Sequence, residues 1–273
     1  MCSKPKSRRT VARACRLRTR SDDIDLLVPL LDWNAPEHGW PKAGAYPLMP
    51  FSNRIRDARL MFQNETHALA PHPLDAPNVL HGHAQRRAWD VAHADSQRAE
   101  LVLDSAPCGD WPWHFEARIG YELTGRTFAV SLELRNRSDR AMPDGIGWHP
   151  FFATDARSTM HFHAARHEAN AVLSALSRAD RATHDCVDYV SEWDGAARIE
   201  RDAGTLRMSA EAPLTHLVAY AARGGPFVCL ESVSHVENGF NLAAGGIDGT
   251  GMQTLEPGAA LAARVTLAWE CAE

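Results

Sequence analysis

The chain has 273 residues, 45% hydrophobic and 23% charged, the balance of a globular protein with enough apolar material for a large core. Its net charge of −5 and pI near 6.3 exclude a general electrostatic drive towards nucleic acid or an anionic membrane, so the expected partners are small and weakly charged. Six scattered cysteines with no Cys-x-x-Cys pair exclude a disulfide framework and a zinc knuckle. No apolar run reaches the ~18 residues of a membrane span, and the start lacks a continuous apolar signal segment. The expectation is a cytoplasmic protein, monomer or homodimer.

Residues 1–20 hold eight Lys or Arg and no acid, unlike the acidic remainder. Residues 1–23 therefore read as a disordered basic tail, and residues 24–273 as a single domain. From about Ile24 the dominant period is two. "HFEARIGYELTGRTFAVSLELRN" places Phe115, Ala117, Ile119, Tyr121 and Leu123 on one face, turns at Thr124-Gly125-Arg126, and resumes with Phe128, Val130, Leu132 and Leu134, a long antiparallel hairpin. Similar alternation marks "ARLMFQNETHAL", "AWDVAHADSQRAELVLD", "TMHFHA", "TLRMSAE", "THLVAYAA", "PFVCLES" and "LAARVTLAWE", each bounded by turn residues. The best helical candidate is "HEANAVLSALSRA", residues 167–179, which could equally be a loop. A dozen or so strands without an internal linker predict one all-β domain, a large sandwich or barrel.

Four stretches place ionisable side chains among apolar or aromatic neighbours, which partly desolvate them: "PFSNRI" (50–55), "NVLHGH" (78–83), "GIGWHPFF" (145–152) and "VCLESVSHVENGFN" (228–241). Taken singly each has an ordinary explanation. His149 and His81 could be packed, hydrogen-bonded histidines, Arg54 a structural ion pair, Glu231 a strand end, and Asn238, Phe240 and Asn241 turn residues and a core aromatic. Fourteen histidines raise the question of a metal. "HGH" (81–83) and "HFH" (161–163) would each set two imidazoles on one face of an extended strand, but no further ligands follow at a recognisable spacing. "GGIDGTG" precedes a strand rather than a helix, so it is no phosphate loop, and a Gly-x-Ser-x-Gly elbow is absent.

In their order along the chain, "PFSNRI", "VLHGH", "GWHPFF", "VCLESVSHVENGFN" and "LEPGAALAARVTLAW" resemble the aldose 1-epimerase (galactose mutarotase) family over roughly Ala45 to Trp269. The resemblance implies an all-β, large antiparallel β-sandwich of the galactose mutarotase-like type. It also implies a small-molecule sugar as partner, no cofactor and no metal. By position it makes Glu231 the general base, His149 the general acid, and Arg54 and His81 the residues that bind and polarise the sugar, with Asn53 shaping the turn or touching it. An Asp holding sugar hydroxyls is expected among Asp185, Asp188 and Asp194, with Asp188 preferred. Opening a pyranose needs one base and one acid that work near neutral pH, which a desolvated carboxylate and a histidine can supply.

Trp148 and Phe152 could offer faces to a sugar, although Phe152 reads better as core, and Trp111 and Trp113 in "CGDWPWHF" are candidates for the cleft rim. Before Ile24 the family's opening hairpin is not recognisable, which would leave a sheet edge exposed. Two other functions remain open: a hexose-6-phosphate 1-epimerase using Arg54, Arg56, Arg86 or Arg87, and a non-catalytic carbohydrate-binding protein on the same fold.

Overall fold

The computed structural model describes residues 11–20, 22–31, 41–167 and 185–272. Its strands begin with β1 (Ala45–Leu48), β2 (Arg54–Ile55), β3 (Arg59–Phe62), β4 (Glu65–Ala68), β5 (Val79–Leu80), β6 (Asp90–Ala94) and β7 (Arg98–Ser105). They continue with β8 (Phe115–Thr124), β9 (Thr127–Asn136), β10 (Met142–Asp144), β11 (Gly147–Pro150), β12 (Phe152–Ala153), β13 (Thr159–His167) and β14 (Cys186–Arg201). The last are β15 (Gly204–Ala210), β16 (His216–Ala221), β17 (Phe227–Val233), β18 (Gln253–Leu255) and β19 (Ala260–Cys271). Among the described residues the one α-helix, α1, is the short Gly239–Ala244. Apart from His167, which ends β13, the expected helix at 167–179 lies outside the described residues.

Thirteen strands form one antiparallel sheet in the order β1-β11-β17-β16-β14-β15-β19-β9-β8-β7-β6, with β12 beside β17 and β13 beside β14. The expected hairpin is β8–β9, whose two-residue connection contains Gly125 at φ +59°, a left-handed conformation that costs glycine little. Strands β9 and β11 are six steps apart in this order, roughly 29 Å on a flat sheet. Yet Phe128 on β9 and Trp148 on β11 have ring centroids 6.5 Å apart. The sheet therefore doubles over on itself, and its inner faces share one core containing Ile119, Leu132, Leu230 and Val265. This is the expected sandwich.

Period-two alternation gives β1, β11, β16 and β17 a second apolar face, away from that core. Ala45, Trp148, Leu230 and Ala219 point inward, whereas Tyr46, Phe151, Cys229 and Val218 belong to a separate cluster on the other side. That outer face carries the polar residues discussed below.

The basic segment differs from its expectation. Its described residues lie against the sandwich rather than apart from it. Ala12 and Leu17 join the core, and Ala14 exchanges both backbone hydrogen bonds with Ala45, each 2.9 Å. The apolar side chains interspersed among the arginines account for this, since burying each is worth roughly 1.5–3 kcal/mol when complete. The segment covers part of the β1 edge that a missing hairpin would have exposed.

Candidate active site

Cross-strand register assembles the site. Tyr46 on β1 pairs with His149 on β11, and the β11–β17 ladder (Gly147 with Val233, Trp148 with Ser232) brings Glu231 beside His149. Glu231 pairs with Val218 on β16, which pairs with Tyr189 on β14. Paired residues share a face, so Tyr46, His149, Glu231, Val218 and Tyr189 form one transverse row.

His149 Nε2 lies 3.2 Å from Glu231 Oε1, and both side chains are 7% exposed. Burial pushes the Glu231 carboxyl up to about 8, with Arg54 acting weakly in the opposite sense. Burial above all, then the neighbouring His81 and the positive charge of Arg13, holds His149 well below the ordinary histidine value. Near neutral pH the pair therefore holds one proton between its two members. Tyr46 and Phe151 both stack on the His149 ring at 4.7 Å, fixing its plane.

The loop Phe51–Arg54 borders the site through Asn53, which bonds His81. Its two central amides are each capped by a histidine: Ser52 N–H donates to His235 Nε2 at 3.1 Å, and Asn53 N–H donates to His81 Nδ1 at 3.0 Å. His81 N–H donates back to the Asn53 carbonyl at 2.8 Å. With Nδ1 accepting, a neutral His81 carries its proton on Nε2, and burial lowers its pKa to about 3, so it stays neutral. The His81 and His149 ring centroids are 5.3 Å apart. Arg54 donates from Nε and Nη2 to Asp75 at 2.8 and 3.2 Å, while its Nη1 is 3.5 Å from Asn53 Oδ1. A hydrogen bond also joins Asn53 to Tyr189.

His81, His149 and Glu231 offer ligand atoms within 4.8 Å of one another, close enough to hold a divalent cation. A second set of that kind, His83, Cys108 and Asp110, has its carboxylate already neutralised by Arg86 at 3.6 Å and Arg87 at 2.7 Å. The pattern "HGH" thus does not act as a strand with two histidines on one face. His81 and Gly82 both have φ near +60°, so the backbone turns and sends the two imidazoles to different clusters.

A family model described as aldose 1-epimerase matches residues 28–268. The chain belongs to the aldose 1-epimerase family. Its fold superposes on that of a galactose mutarotase-like protein from Clostridium acetobutylicum with a TM-score of 0.80 at 17% identity, covering 94% of this chain and 89% of that one. Galactose 1-epimerase from Lactobacillus acidophilus NCFM gives a TM-score of 0.67 at 18% identity, covering 92% and 87%. Among curated proteins, the uncharacterized protein YphB of Escherichia coli K12 is 28% identical over 124 residues, 45% of this chain and 41% of YphB. The matched region thus spans less than half of that relative.

Five of the six residues singled out in the sequence of this family member, Glu231, His149, His81, Arg54 and Asn53, come together here. Asp188 does not. It sits between Cys186 and Val190, which face the core, so the pleat turns its side chain away from the Glu231 face. Asp185 accepts hydrogen bonds from the Tyr220 hydroxyl and Arg223 N–H, and Asp194 caps Ala196 N–H. The residue of that strand on the site face is Tyr189, one position on.

Trp111 and Trp113 are not on a rim: they are 0% and 1% exposed, packed on each other at 5.2 Å and on Phe51 and Phe62. The loop that carries them folds inward because two indoles bury more apolar area there than a rim would allow. Trp148 and Phe152 are both core. Sequence reasoning missed Tyr46, Phe151, Tyr189 and His235. The first two were legible as aromatics alternating with Leu48 and His149, but their facing depended on knowing the partner strand.

Proposed function

We propose that the protein interconverts the α and β anomers of a free hexose such as glucose or galactose, with Glu231 as general base and His149 as general acid. The observation that carries this reading is their adjacency. Mutarotation removes a proton from the anomeric hydroxyl and delivers one to the ring oxygen, and these two oxygens are bonded to the same carbon. A base and an acid serving them must therefore be neighbours, as Glu231 and His149 are at 3.2 Å. Near neutral pH burial leaves the pair's one proton on Glu231, so these roles require it to pass to His149 across the 3.2 Å contact when sugar binds, giving a carboxylate base and an imidazolium acid. The positive charge of Arg54 favours the carboxylate form of Glu231. Rotation about C1–C2 in the open aldehyde and reclosure give the other anomer.

His81, neutral with its proton on Nε2, can donate to a sugar oxygen but is poorly suited to act as a proton carrier, because its pKa lies near 3. Arg54 donates from Nη1 to Asn53 only at 3.5 Å while Nε and Nη2 hold Asp75, which leaves Nη1 the donor most easily turned to a sugar hydroxyl. Tyr189 and Asn53 supply further polar groups on the same side, and Val218 supplies an apolar floor for the sugar ring. A hexose 6-phosphate has less support. Arg54, Arg56, Arg86 and Arg87 each face a carboxylate, at 2.8, 3.9, 3.6 and 2.7 Å. A protein that only bound sugar would gain nothing from a buried acid–base pair whose desolvation is costly. No helix among the described residues is long and apolar enough to cross a membrane.

The test is polarimetry of freshly dissolved α-D-glucose and α-D-galactose. Wild-type protein should speed the approach to equilibrium, and Glu231→Gln and His149→Asn should each lose ~10²–10⁴-fold in kcat. A wild-type rate equal to buffer with both sugars would end this reading. Retained activity in either variant would remove that residue from it.

A further inference from the structure

Resting on the assignment of His149 above, we propose that Arg13, in the basic segment, is a positioning residue for His149: its guanidinium clamps the Tyr46 ring that stacks on the imidazole. The basic segment then completes the active site instead of merely preceding it.

Three contacts in series carry the argument. Arg13 Cζ lies 4.4 Å from the centroid of the Tyr46 ring, a cation–π contact. Tyr46 is 1% exposed and stacks on His149 at 4.7 Å with the planes 28° apart. The guanidinium is itself anchored, since Nη1 donates to the carbonyls of Pro41 and Ala43. Backbone geometry supports the same alignment. Ala14, adjacent to Arg13, forms a two-bond ladder with Ala45, and the next residue, Tyr46, pairs with His149. Arg13 is thus registered to the catalytic row through the sheet as well as through its side chain.

The clamp has two effects. It restricts rotation of Tyr46 and therefore of the imidazole, which must keep Nε2 directed at Glu231. It also sets a positive charge behind His149. The titratable and charged groups around that ring are Glu231 on β17, His81 from the loop after β5, Tyr46 on β1 and Arg13 itself. Phe151 adds only an apolar face. Loss of the Arg13 charge makes the imidazole easier to protonate.

The experiment uses the full chain with Arg13→Gln, which keeps length and hydrogen-bonding capacity, and Arg13→Lys, which keeps the charge. NMR titration of the His149 ring should show its pKa rising by about 0.5–1 pH unit in Arg13→Gln and by less in Arg13→Lys. With glucose, Arg13→Gln should lower kcat roughly three- to tenfold with KM within about twofold, and the acid limb of the pH profile should move up with the His149 pKa. An unchanged His149 pKa and kcat in Arg13→Gln would overturn the proposal. So would a raised KM at unchanged kcat, which would make Arg13 a sugar contact. Should Arg13→Gln not fold, Tyr46→Leu is read in the same way, a kcat equal to wild type being the contrary result. The NMR titration needs no turnover, so it decides this proposal even if no anomer exchange is found.

Discussion

A carboxylic acid and an imidazole 3.2 Å apart and almost fully buried are each pushed towards their neutral forms, Glu231 to about 8 and His149 well below its usual value. This sets the pH behaviour. Going up, the pair loses its one proton near pH 8, the acid function disappears, and kcat/KM should fall about tenfold per pH unit beyond that point. Going down, a second proton is resisted by burial and by the charge of Arg13, so the acid limb should lie well below pH 6.5 and the plateau between them should be broad. An acid limb at or above 6.5 in a polarimetric pH series would mean that His149 titrates as an exposed histidine, against the burial seen here. The residue types of this pair were legible in "GWHPFF" and "CLES". Their one-proton state was not, because it comes from burial and a 3.2 Å separation, neither of which a linear string records.

At the scale of elements, the turn at His81–Gly82 sets where His81 stands in the site. A Cβ on Gly82 would meet the Met49 carbonyl oxygen at 2.1 Å, and φ there is +62°. Gly82→Ala should therefore cost on the order of 2–4 kcal/mol and displace His81 from the Asn53 amide. Urea unfolding with polarimetry checks this, and a variant of wild-type stability and rate would refute it. The long strand β14 shows where sequence reading stops. Most alternating stretches named from the sequence are strands, yet "CVDYVSEWDGAARIER", the whole of β14, is not among those stretches, because Ser, Glu and Asp-Gly interrupt its alternation. In the fold those residues form a kink, with Glu192 and Gly195 at positive φ, where β14 changes partner from β16 to β15. Side-chain direction alternates along such a strand, so an assignment one residue off exchanges Tyr189 for Asp188 and the site for the core. The site's chemistry could be read from local motifs, whereas the facing of residues between motifs depended on register.

Over the whole molecule, buried titratable groups with opposite demands set the stability profile. His81, His83 and His235 are held near 3 to 4, and His149 is also lowered, all by burial. The unfolded chain would protonate these four below about 6.5, so their contribution is lost as pH falls through that value. Asp144 and Glu231 behave oppositely. Burial raises them to about 7 and about 8, so the folded state binds their protons and stability falls as pH rises from about 4 towards those values. Between about 4.5 and 6.5 four histidine protons outweigh two carboxyl protons and stability rises with pH. Above 6.5 only the carboxyls act and it falls, which places the maximum near pH 6.5. Asp144 tests this separately from catalysis, since neither of its carboxyl oxygens has a hydrogen-bond partner among the described residues and the group is fully buried on β10. Asp144→Asn keeps the shape and removes the charge. It should be within about 1 kcal/mol of wild type at pH 5 and more stable by roughly 2–4 kcal/mol at pH 8, with its maximum moved to higher pH. Urea denaturation at the two values measures both differences. Equal effects at pH 5 and pH 8 would mean that burial does not hold Asp144 in its protonated form in the folded protein.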